Sequence, residues 1–289
     1  VKKFLAAAAA ALLIAGAAAD AAAHDTWLAR GAEPGRVQLL LSTGNRFPIA
    51  EFAPPVSSIE RAGCTDASGA VHNPNPVGDA TAALRLVLAP RDGQALACHV
   101  QLVPFDIELT PQLVEVYLRE IRAPDSVRSA WEQMRKAGKP WRERYVKFAR
   151  IELATAAGDE SPAQWRTLRE ATPGAPLEIV PGGTAPLQAG REAVFRVLAS
   201  GRPVRDVPVE LVSDRSPVGV WLRSDADGLL RVTIPFAADW LLRATVLDLA
   251  GDAWNSRFAT FAFTARAPYA APAAADSRPR NAMGFAARP

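Results

Sequence analysis

The chain has 289 residues, a net charge of +3 and 49% apolar residues, enough for a real core in one or two domains. So small a charge argues against a nucleic-acid footprint. Beyond the first 23 residues no apolar run approaches the ~20 residues that a membrane-spanning helix needs.

Residues 1–23 read as an export signal. Lys2 and Lys3 lead an apolar run from Phe4 to Ala19, and Ala21-Ala22-Ala23 is a small-residue cleavage pattern. The run is too short and too Ala-rich to span a bilayer comfortably. A cut after Ala23 makes His24 the first residue of a periplasmic or secreted chain; Ala19 and Ala22 are alternative cut points.

Residues 24–158 read as an N-terminal β domain carrying a helical segment at about 110–156. "RVQLLLSTG", "AALRLVLAP" and "QALACHVQLVP" are strand-like, with "RDG" (Arg91 to Gly93) as a hairpin turn between the last two. Cys64 and Cys98 are the only cysteines. An oxidising compartment makes a disulfide the default; the alternative is two reduced thiols serving as metal ligands, though their spacing fits no compact zinc pattern.

The period then changes. Thr110-Pro111 is a helix start, with Thr as N-cap and Pro at the first helical position. Leu113, Val114, Tyr117, Leu118 and Ile121 follow at helical spacing. A second helix is predicted over Ser126–Ala137. A third is predicted over Trp141–Ala156, with Trp141, Tyr145, Phe148 and Leu153 as its buried stripe. Arg144, Tyr145 and Lys147 on that helix are a candidate anion site, set against an ordinary solvated basic face.

Residues 159–176 form a polar connection with a helical turn around Trp165. Residues 177–266 hold about seven strands, the count of an immunoglobulin-like or prealbumin-like sandwich. "DADG" (Asp225 to Gly228) has the start of a calcium loop but lacks its remaining ligands, so it reads as a hairpin turn. Trp221, Trp240 and Trp254 read as core or sheet-covering aromatics. Residues 267–289 are Ala-, Pro- and Arg-rich without periodicity and read as a disordered tail. The expected fold is therefore mainly β with a helical insertion.

"HDTWL", "ELTPQLVEVYLREI", "RERYVKFARIEL", "PLEIVPGGTAPLQAGREAVFRVLASGRPVRDVPVEL", "SDADGLLRVTIPFAADWLLRATVLD" and "WNSRFATFAF" follow one another in this order. The ordered set resembles the periplasmic domain-of-unknown-function 4198 family, often labelled nickel-uptake or nickel-transport-associated, over nearly the whole mature chain. The resemblance implies an N-terminal β domain followed by a carboxypeptidase-regulatory-like sandwich. It also implies metal capture or delivery beside a cobalt or nickel transporter. Unlike a histidine-tract nickel buffer, this chain has three histidines in all.

His24 is the chief chemical candidate. A free N-terminal histidine offers an α-amine and an imidazole nitrogen to one ion, suiting copper, nickel or zinc. His72 and His99 are the two possible second imidazoles, and Asp25 can add an oxygen or orient a ring. His99 follows Cys98 on a strand, so the two should face opposite ways. No phosphate loop, nucleophile elbow or zinc-protease motif occurs. Three readings follow: an exported accessory protein capturing nickel, cobalt or copper for a membrane transporter or other envelope protein; an envelope module binding a protein or glycan; and a copper enzyme built on His24.

Overall fold

A computed structural model describes residues 24–267 apart from 34, 81, 90–92 and 156–159. The expected signal, the tail beyond Ala267 and most of the "RDG" turn lie outside the described residues.

Among those residues the N-terminal half forms β1 (Asp25–Arg30), β2 (Val37–Gly44), β3 (Ile59–Asp66), β4 (Val71–His72), β5 (Asn75–Ala80), β6 (Ala83–Leu88), β7 (Leu96–Leu102) and β8 (Phe105–Leu109). Helices α1 (Pro111–Glu120) and α2 (Asp125–Lys136) follow, then β9 (Trp141–Leu153) and α3 (Pro162–Leu168). The C-terminal half is β10 (Glu178–Pro181), β11 (Glu192–Ala199), β12 (Arg202–Pro203), β13 (Pro208–Ser213), β14 (Val220–Arg223), β15 (Leu229–Thr233), β16 (Ala238–Ala250) and β17 (Ala253–Ala265). The protein is mainly β with a helical insertion. No helix among the described residues is long and apolar enough to cross a membrane.

A nine-stranded sheet runs through the molecule in the order β14-β13-β16-β17-β9-β7-β3-β4, with β8 pairing the first part of β9. Strands of both halves meet at its centre, where β9 lies parallel to β17 from Glu143–Trp254 to Glu152–Phe263. A four-stranded sheet, β1-β2-β6-β5, covers one face of the N-terminal part. Trp27, Leu28, Leu39 and Leu41 of that sheet pack on Ala149, Ile151, Ala262 and the Cys64–Cys98 disulfide. Beside it, α1 and α2 bury Val114, Tyr117, Leu118 and Trp131 against Trp141, Trp254 and Phe258. On the opposite face, β10, β11 and β15 pack Ile179, Phe195 and Leu230 on Leu211, Leu242 and Phe261.

The start of α1 is as the sequence implies. Thr110 accepts from the Leu113 amide ahead of Pro111, and Ser161 forms a capping box with Gln164 before the short helix that buries Trp165. The disulfide joins register partners of β3 and β7.

The third predicted helix is a strand. Trp141, Tyr145 and Phe148 are spaced as a helix stripe would be, but Trp141–Leu153 is β9, flanked by β17 and by β7 and β8. From Lys147 onward β9 is buried on both faces, so its alternation is masked and short-range spacing misleads. The expected anion site dissolves with it. A strand sends Lys147 and Arg144 to opposite faces; Arg144 pairs with Asp106 at the surface while Lys147 is buried. Two expected hairpins are crossovers as well: β6 and β7 belong to different sheets, as do β14 and β15. At the second crossover the Asp225 carboxylate accepts from the Asp227 and Leu229 amides. Gly228 is required there, with φ +71° and the Val197 carbonyl 2.8 Å from where a Cβ would stand.

Candidate functional site

β1 brings His24 onto the centre of the large sheet. Thr26 O accepts from Thr260 Oγ1 of β17, and His24 O accepts from Lys147 Nζ of β9 at 2.7 Å. His24 is only 4% exposed. The turn after β2 folds back over it: Thr43 bridges to Phe52, which sets the Phe52 ring edge-on to the imidazole and Glu51 beside it. Nε2 of His24 lies 2.9 Å from Glu51 Oε2 and donates to it. The other Glu51 oxygen accepts from the Asn45 amide. Nδ1 of His24 is buried and has no hydrogen-bond partner.

Asp25 points into a charge cluster. Arg243 of β16 pairs with Asp25 and with Glu210 of β13, each at 2.5 Å. Burial works against the Arg243 charge, but the two carboxylates outweigh it and raise its pKa further. Glu120, ending α1, lines a water-sized cavity with Asp25 and Arg243. Burial raises its pKa; the Asp25 charge adds to this, and the Arg243, His24 and Arg119 charges oppose it. Lys147 is pulled down to about 8 by burial, against the Asp25 and Glu143 charges. Glu143 accepts from Tyr117, Trp141 and Ser256, a satisfied buried network that anchors α1 to the sheet.

The other two histidines lie elsewhere. His99 stacks on Phe148, the residue after Lys147 in β9, so it occupies the face opposite His24. It does face away from Cys98, as the strand reading expects, but the ring is largely covered rather than offered to solvent. Burial, with the Arg61 and Arg150 charges, lowers its pKa to about 4. His72 sits on edge strand β4 and bonds Asp66 at 2.8 Å. β4 lies three strand positions from β9, roughly 14 Å away, too far for the ~2 Å bonds of a shared metal shell. His24, His72 and His99 therefore do not converge. Among the described residues no three His, Cys, Asp or Glu side chains are grouped to hold an ion.

His24 and Asp25 were legible from the sequence as a pair. Glu51, Phe52, Glu120, Glu210 and Arg243 were not, because each reaches the site from a distant element. A weak local signal existed for Glu51 alone, which follows the Gly-Asn turn that ends β2.

No curated protein matches the chain. A family model described as a domain of unknown function, DUF4198, matches residues 21–248, from just before β1 into β16. That span holds His24, its partners Glu51 and Lys147, and the Asp25–Arg243–Glu210 cluster, and the chain belongs to the DUF4198 family.

Proposed function

We propose that this is an exported binding protein that captures a transition-metal ion, nickel, cobalt or copper, at His24 once residues 1–23 are removed, and passes it to a membrane transporter or other envelope protein. The observation that carries the reading is the state of one imidazole. Nδ1 is buried without a partner while Glu51 holds Nε2. A carboxylate on the far ring nitrogen is the usual support of a metal-bound histidine, fixing tautomer and orientation. Nδ1 is also the nitrogen close enough to the residue's own α-amine to chelate with it.

The residues present supply two nitrogens to such an ion. The α-ammonium has an ordinary pKa near 7.7–8.0, so at neutral pH binding releases one proton at small cost. With no third side-chain donor grouped there among the described residues, water or a partner's ligand would complete the shell, which suits hand-off more than storage. Lys147 and Thr260 hold the β1 backbone and keep the imidazole in place.

The test begins with mass spectrometry of the secreted chain to establish its first residue. Processed protein is then titrated with nickel and copper beside a form carrying one extra Gly before His24. At least a tenfold loss of affinity in the extended form is expected; equal, measurable affinity in both forms removes the terminal chelate. A second reading, an envelope module binding a protein or glycan, is supported by β14, which ends the large sheet with its own Val220 and the preceding Val218 exposed. Such an edge can pair with an incoming strand. Negligible metal binding by both forms favours that reading.

A further inference from the structure

Along β1 from Trp27 to Arg30, a cleft of about 720 Å³ opens between the small β1-β2-β6-β5 sheet and the large one. Its walls include Trp27 and Phe47, whose rings meet edge-on at 5.8 Å. It stays open because of the residues that fail to fill it: Ala29, Ala32, Ala50, Ala82, Ala83 and Ala262 all line it. Protein interiors are otherwise close-packed. An aromatic-walled space of this size falls in the range of small-molecule sites.

The charges at the cleft are uneven. Glu152 is neutralised by Arg169, which donates to both of its oxygens at 2.8 Å. Asp214 and Asp239 also line the cleft, and they clasp each other through the backbone. The Asp214 amide donates to Asp239 O, and the Asp239 amide donates to Asp214 Oδ1, both at 3.1 Å. Thr264 donates to Asp239 Oδ1. Among the described residues no lysine or arginine pairs with either carboxylate. Arg30 lines the cleft too but is already engaged.

We infer that this cleft binds a small organic cation: a ring or branched apolar body seated against Trp27 and Phe47, with an amine directed to Asp214 and Asp239. The apolar body gains from leaving water against aromatic and Ala-lined walls. The amine gains a charge-assisted bond to carboxylates that lack a cationic partner. The site is independent of the metal reading at His24, since no residue is shared between them.

The experiment uses metal-free processed protein and two probes with the same ring, naphthylmethylamine and naphthylacetate, followed by calorimetry and tryptophan fluorescence. The amine should bind at least tenfold tighter than the acid. Asp214→Asn with Asp239→Asn should remove that difference, and Ala50→Phe should weaken the amine at least tenfold by filling the cleft. Ala29→Phe repeats the filling test from β1, and thermal melting identifies any variant that fails to fold. His24→Ala should leave amine binding unchanged, so loss of metal capture and loss of this site are read separately. Equal binding of amine and acid, no binding of either, or full amine affinity in folded Ala50→Phe and Ala29→Phe overturns the inference.

Discussion

Lys147 Nζ donates to the His24 carbonyl across 123 positions of sequence, at 2.7 Å and out of contact with water. This bond ties the first described residue to the central strand. Lys147→Ala removes both the bond and the packing of the side-chain stem, and should cost about 3 kcal/mol in urea unfolding. Lys147→Met keeps most of the volume and sheds the buried charge, so it should cost clearly less. Equal losses in the two variants would mean that the bond rather than the packing of the stem holds β1.

Gly44 controls the turn that presents Glu51. A Cβ at this position would stand 2.5 Å from the Ile49 carbonyl oxygen and 3.1 Å from the Trp27 ring. Gly44→Ala should therefore displace residues 45–52 and cost about 2 kcal/mol. The imidazole NMR signals of His24 should change with it, because Glu51 no longer holds Nε2. An unchanged His24 spectrum would show that the turn does not set the ring.

His99 makes the fold acid-sensitive. Its pKa falls from 6.5 to about 4 on folding, through burial and the Arg61 and Arg150 charges. The unfolded chain thus takes up this proton first. The contribution is complete above pH ~6.5 and is lost as pH falls toward 4. At about 1.4 kcal/mol per unit, and allowing for the partial exposure of the ring, roughly 2 kcal/mol is at stake. His99→Phe, which keeps the stack on Phe148, should flatten the stability profile between pH 6.5 and 4. A variant with the wild-type slope would assign the sensitivity to other groups.

Arg150 and Glu178 form an ion pair at 2.9 Å between β9 and the start of β10, with Glu178 wholly buried. Burial raises the Glu178 pKa; the Arg150 charge and the Thr172 hydrogen bonds oppose it. Glu178→Ala leaves a buried guanidinium without its carboxylate and should cost 3–5 kcal/mol, about the usual penalty for breaking such a pair. Thermal melting at low and high salt checks this. Little salt dependence is expected, because screening reaches buried pairs poorly.

Reduction of Cys64–Cys98, or replacement of both residues by Ala, reopens a loop of 34 residues. The chain-entropy relation puts the loss at about 4 kcal/mol. Unfolding curves with and without reductant measure it directly.

Local chemistry in the sequence determined much of this protein: the strand-rich character, the Thr110 helix cap, the disulfide and the opposite facing of Cys98 and His99. Each depends on residues adjacent in sequence or on the pairing of the only two cysteines. Tertiary structure alone decided that Trp141–Leu153 is a strand, since its neighbours β17 and β7 lie far from it in the chain and burial on both faces erases its alternation. It also decided that His24 meets Glu51 and Lys147 rather than His72 or His99. Side chains that converge through sheet packing leave no periodic trace, because the contact is set by which strands lie side by side and not by spacing along the backbone.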